Sequence, residues 1–213
     1  MYKFSKMEFT NVHSSEPHIV NRKRLLKKYP EIKKLFGTDP LTAWITLAVV
    51  IGQIGIAKWI SLSSDQSHWV GSWWFILIFA YFIGSLLNHW CAMTVHECSH
   101  YLVFKKKSWN IYLSYFANIP FVFPMAMTFH RYHVDHHTYL GVKGWDTDLP
   151  LSKEVEWVGN STILKFFWLS FYIITYSIRG LFFIKPLNKS EIINIFTQLI
   201  VCIALYYYVG WVG

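Results

Sequence analysis

Five histidines in two groups are the residues whose types and spacing could do chemistry. His96-Glu97-Cys98-Ser99-His100 is an H-x3-H pair, and His133-Val134-Asp135-His136-His137 is an H-x2-H-H triplet. On a helix, positions three and four apart share a face, so each group can aim its imidazoles at one point. Neutral imidazole suits iron, copper, zinc and nickel. A lone histidine near a membrane is more often a hydrogen-bonding residue than a ligand. Five at ligand spacing, with none across residues 138–213, make a metal site the expected reading.

The neighbouring polar residues divide into open and plain cases. His89 precedes His96 by two helical turns, about 10 Å along an axis; it serves a second metal or caps the apolar segment before it. His130 is out of phase with His136 and His137 and is expected to be structural. His13, His18 and His68 have no partner at ligand spacing and read as surface residues. Glu97 and Asp135 could orient ligand imidazoles by accepting the second ring proton, or could simply be solvated. Asp146 and Asp148 could do the same, or form part of a turn.

The elements that carry these residues are apolar. Of 213 residues, 54% are hydrophobic and 15% charged, well below the roughly one quarter charged of globular chains. Spans long enough to cross a bilayer are expected at Leu41 to Leu62, Trp69 to Leu87, Ile163 to Ile184 and Ile193 to Val212. A further apolar stretch, Ile111 to Phe129, carries Pro120 and Pro124, which disfavour a continuous helix, and reads as re-entrant or interfacial. The fold class is therefore all-α: an integral membrane protein of about four transmembrane helices plus one such segment. Residues 1–40 form a polar, basic lead segment, with a helical stretch at 21–29 stopped by Pro30; it lies on a membrane surface or is a solvated tail. Residues 41–213 form the membrane domain.

The net charge of +8 is distributed as a membrane protein distributes it. Nine of the 20 Lys and Arg precede Pro40, Lys105 to Lys107 form a second cluster, and the loop Ser63 to His68 has none. By the positive-inside rule, the N-terminus, both histidine groups and the C-terminus are expected in the cytosol. A nucleic-acid-binding module would not also need several bilayer-length segments. Cys91, Cys98 and Cys202 have no C-x-x-C spacing, so no disulfide framework is expected. Met1-Tyr2-Lys3-Phe4 opens neither a signal peptide nor a myristoylation site.

Asn88-His89 with His96-Glu97-Cys98-Ser99-His100, then Arg131 through Gly141 and Asp146-Thr147-Asp148-Leu149-Pro150, resemble the first two histidine boxes of the membrane fatty-acyl desaturase superfamily. Glu16-Pro17-His18, Lys28-Tyr29-Pro30-Glu31-Ile32-Lys33-Lys34-Leu35 and Asp39-Pro40 resemble the lead segment of sphingolipid 4-desaturases and the related 4-hydroxylases. The resemblance covers essentially the whole chain. It implies a multi-pass enzyme of the endoplasmic reticulum membrane that binds two iron ions, uses O2, and takes electrons from cytochrome b5 and NADH-cytochrome b5 reductase. The implied reaction introduces the 4-double bond into the sphingoid chain of dihydroceramide, giving ceramide. Carried over, His96 and His100 are first-box metal ligands, and His133, His136 and His137 second-box ligands.

One departure stands against this. The family carries a third H-x2-H-H box beyond its last spans, and no histidine follows His137. The chain is expected to be an incomplete piece whose box lies further on. The alternatives are a sphingoid 4-hydroxylase or another fatty-acyl desaturase, a non-catalytic truncated membrane protein retaining the boxes by descent, and a haem-binding membrane protein. The last usually places single histidines on facing helices.

Overall fold

The computed structural model describes residues 17–64, 69–142, 145–179 and 185–210, and every regular element among them is helical. In chain order these are α1 (Pro17–Lys28), a 3-10 turn (Pro30–Leu35), α2 (Leu41–Ser64), α3 (Trp73–Ser99), α4 (Lys107–Ala117), α5 (Ala126–Thr138), α6 (Ser152–Val158), α7 (Thr162–Ser170), α8 (Tyr172–Arg179) and α9 (Lys189–Val209). They fall into two compact units. One comprises residues 37–131 and 187–213; the other comprises residues 1–36 and 132–186.

Among the described residues three helices, α2, α3 and α9, are long and apolar enough to cross a membrane. All three belong to the first unit, and their outward faces are apolar, as at Leu86, Ile200 and Tyr207. Exposed apolar side chains on a bilayer-length helix are what lipid, rather than water, accommodates. Inside, Val50, Cys91, Val95, Ala117, Ala126 and Met127 form the core. Thr46 Oγ1 lies 2.8 Å from Thr94 Oγ1, and Trp90 Nε1 donates to Thr46 Oγ1 at 3.2 Å. With Gln53 donating to Asn88 at 3.3 Å, these bonds run α3 antiparallel to α2. Lys58 donates to the Tyr208 carbonyl, which runs α9 parallel to α2.

Two sequence expectations change. The second span continues past Leu87 to Ser99, because residues 85–99 contain no glycine or proline to end the helix and its polar positions bond inward. The expected span Ile163 to Ile184 is not one helix: α7 ends at Ser170 with Phe171 as its cap, α8 runs to Arg179, and residues 180–184 lie outside the described ones. The reason is polar. Tyr176 and Arg179 bond to Asp148 and Glu154 within their own unit, a use of side chains that lipid cannot provide. With the three candidate spans found among the described residues, Val209 sits at the Ser64 end of the bundle, opposite the end bearing His96, against the expectation that the C-terminal end shares the histidines' side.

The proline-bearing stretch is a helix, a tight turn and a second helix, as Pro120 and Pro124 suggest. Asn118, fully buried, builds the turn: its Nδ2 donates to the Phe123 carbonyl at 2.8 Å and to Gln198 Oε1 at 3.0 Å, and its Oδ1 accepts from Ala126 N at 2.7 Å. Asn194 continues this ladder by accepting from Met127 N at 3.0 Å, and Glu191, 3% exposed, pairs with Arg131 at 3.0 Å. The turn tip, with the later halves of α2 and α9 and the middle of α3, encloses a cavity of about 450 Å³. Its lining is apolar apart from a few groups such as Gln53 and Asn88.

Candidate metal centre

In the first unit, His96 occupies the last turn of α3 and His100 caps its end, with ring centroids 4.9 Å apart. The helix closes with a Schellman motif: Leu102 N donates to Glu97 O at 3.1 Å and Tyr101 N to Cys98 O at 3.0 Å. The left-handed position that glycine usually fills is Tyr101, at φ 57°, a conformation costing a residue with a Cβ about 1–2 kcal/mol. Its ring lies 5.8 Å from that of His130. Burial pushes the His130 imidazole pKa down, favouring the neutral ring. Glu97 Oε1 lies 3.7 Å from His96 Nδ1, and His89 sits exposed two turns earlier on the same helix.

In the second unit, His133, His136 and His137 share the last turns of α5. His133 Nε2 and His137 Nε2 are 3.1 Å apart, their rings nearly perpendicular. Two nitrogens each about 2.1 Å from a shared ion, at 90–109° to each other, would be separated by about 3.0–3.4 Å. The donor set therefore fits a metal, by spacing as well as by chemistry. His136 is oriented differently. Its Nδ1 faces Asp146 Oδ1 at 2.8 Å and Asp148 Oδ2 at 3.3 Å. Asp146, 1% exposed, also accepts from Gly141 N at 2.8 Å and Asp148 N at 2.9 Å. Carboxylates on Nδ1 leave Nε2 as the nitrogen that could bind a metal.

It is thus Asp146 and Asp148 that face a ring nitrogen of His136, while Asp135 pairs with Lys185, whose ammonium also lies 5.4 Å from the Tyr132 ring. Sequence reasoning placed Asp135 first because it lies inside the motif. On α5, however, Asp135 adjoins His136 along the chain and points to another face. His13 and His68 lie outside the described residues, and His18 lies on α1.

Comparison with known proteins accords with this geometry. The fatty acid desaturase family model matches residues 71–213, and the model for sphingolipid Delta4-desaturase (DES) matches residues 5–41. A sphingolipid delta(4)-desaturase DES1-like protein of Oryza sativa subsp. japonica is 38% identical over 93% of the chain and 58% of its own length. The sphingolipid delta(4)-desaturase DES1 proteins of Homo sapiens and Drosophila melanogaster are each 36% identical over 98% of the chain, and over 62% and 63% of their own lengths. The chain thus spans about three fifths of the relatives it matches. No solved structure matches it. A family model covering two thirds of the chain, over helices that bring its histidines to ligand spacing, places the chain in the fatty acid desaturase family.

Proposed function

We propose that the protein carrying this chain is a sphingolipid 4-desaturase of the endoplasmic reticulum membrane, forming the 4-double bond of ceramide from dihydroceramide. Its oxidant is O2, and its electrons come from cytochrome b5 and the reductase that serves it. Residues 1–40 are the lead segment and residues 41–213 the membrane domain. The observation that carries the reading is the 3.1 Å approach of His133 and His137, together with relatives that bear this name.

His96, His100, His133, His136 and His137 would hold the two irons, with His89 a further candidate. Iron bound there supplies the oxidising chemistry that unactivated C–H bonds require. The chain's own residues do the rest. Asp146 and Asp148 hold the His136 ring in one tautomer, and the α3 cap sets His96 and His100 at the end of a bilayer-length helix. The apolar cavity in the first unit suits an alkyl chain.

The test is expression of the complete gene in cells lacking endogenous 4-desaturase, with mass spectrometry of the sphingoid bases. Ceramide with a 4-double bond is expected. A 4-hydroxylated base alone would make the protein a hydroxylase, and no change in either would favour a non-catalytic one. Orientation has its own check, since the Lys and Arg distribution puts the histidine groups in the cytosol. A glycosylation acceptor inserted at Ser64 is expected to be modified and one at Lys106 not; the reverse pattern would invert the topology.

A further inference from the structure

The second unit buries an arginine that plays no part in holding metal. Arg179 is 1% exposed. Its Nε donates to Glu154 Oε1 at 2.8 Å and its Nη2 to Glu154 Oε2 at 2.7 Å, a two-pronged pair. Its Nη1 donates to the Asp148 carbonyl at 3.2 Å and to the Tyr172 hydroxyl at 3.3 Å. The guanidinium lies 5.1 Å from the Tyr172 ring centroid and 5.9 Å from those of Trp168 and Tyr176. Trp168 Nε1 donates to Glu154 Oε2 at 3.0 Å, so both ions are fully engaged.

A buried ion pair is a poor stability device, because desolvating both charges costs as much as their attraction returns, whereas it does fix geometry. Here the geometry ends on His136. Tyr176 donates its hydroxyl to Asp148 Oδ1 at 2.8 Å, and the other oxygen of that carboxylate faces His136 Nδ1. Asp148 is thereby gripped twice, at its carbonyl by Arg179 and at its carboxylate by Tyr176. Burial, with the Asp148 carboxylate beside it, pushes the Tyr176 phenol pKa up, so it stays a donor across the working pH range.

We propose that Arg179, Glu154 and Tyr176 are positioning residues which, through Asp148, lock the ring orientation and tautomer of His136 so that its Nε2 is presented to metal. The proposal rests on the reading of His136 as a ligand. It extends the metal site's support to three residues that lie 18 to 43 positions beyond His136 in the chain, on α6 and α8.

Three variants of the protein made from its complete gene and purified in detergent test it. Tyr176→Phe removes one hydroxyl. Arg179→Met with Glu154→Met removes both charges together, an exchange that buried pairs usually tolerate. His136→Ala removes the presumed ligand. Readouts are thermal unfolding, iron affinity, and the His136 tautomer by histidine-selective nitrogen-15 NMR of the metal-free protein. For Tyr176→Phe and the double variant we expect an unfolding temperature near the parent's, a minor second His136 tautomer, since Asp146 Oδ1 still faces Nδ1 at 2.8 Å, and iron affinity lowered about 10-fold. A folded variant of either kind with the parent's single tautomer and affinity would overturn the proposal. Should the double variant fail to fold, Tyr176→Phe decides alone. Unchanged iron affinity in His136→Ala would instead refute the ligand reading, and the tautomer measurement would still judge the lock.

Discussion

Alanine at His133 or His137 is expected to lower iron affinity by more than 100-fold and to take product formation below detection. Each change removes a nitrogen that reaches within 3.1 Å of the other's, breaking the pair of imidazoles at ligand spacing. The loss should exceed the 10–100-fold typical of groups that merely orient a ligand. Alanine at His96, His100 and His136 should act in the same direction, while alanine at His13, His18 or His68 should leave iron content and product at parental levels. His89→Ala separates its two readings: lost iron makes it a ligand, and retained iron with poorer yield makes it structural. Iron per protein by mass spectrometry, alongside product analysis, reads every case. Parental activity in any two of the five would sink the assignment.

The second large effect is on folding. Asn118→Ala should destabilise the first unit by about 2–5 kcal/mol, because it strands the buried Ala126 N–H and the Phe123 carbonyl and breaks the contact to Gln198. At this chain length that corresponds to roughly 10 °C in unfolding temperature. Val122→Ala, in the same turn but 74% exposed, should shift it by no more than a degree or two. Scanning fluorimetry in detergent distinguishes them, and equal shifts would mean that Asn118 does not organise the turn.

Much of this was legible from residue type and spacing, for definite physical reasons. Apolar runs of about 20 residues announce spans because the bilayer fixes their length, and α2 and α9 lie close to their expected positions. Prolines 120 and 124 announced a break. Histidine spacing announced the approach of His133 and His137, four positions apart on one helix face, but not the separate orientation of His136. What the chain hid depends on distant partners. Residues 163–184 are apolar enough to look like a span, and the buried bond from Arg179 to Glu154 shows why residues 163–179 are not one continuous helix. The same holds for the carboxylates on His136: Asp146 and Asp148 arrive by a turn through Gly141, at φ 78°, that no periodicity encodes.

The continuity of α3 has a mechanical meaning. His96 rides on the same helix as the second span, a π-helical segment at Ala80–Gly84 included, 23 residues from Trp73, or about 35 Å at helical rise. A tilt of about 5° pivoting near Trp73 would carry His96 sideways by about 3 Å, and tilt is how a span answers a change in hydrocarbon thickness. Metal–ligand distances, by comparison, are held to within about 0.2 Å of their standard values. The Thr46, Trp90 and Thr94 bonds that lash α3 to α2 therefore act as a strut. In the proposed enzyme, bilayer thickness would thus be a mechanical input to where His96 sits, and the paired helices would set how much of it is passed on.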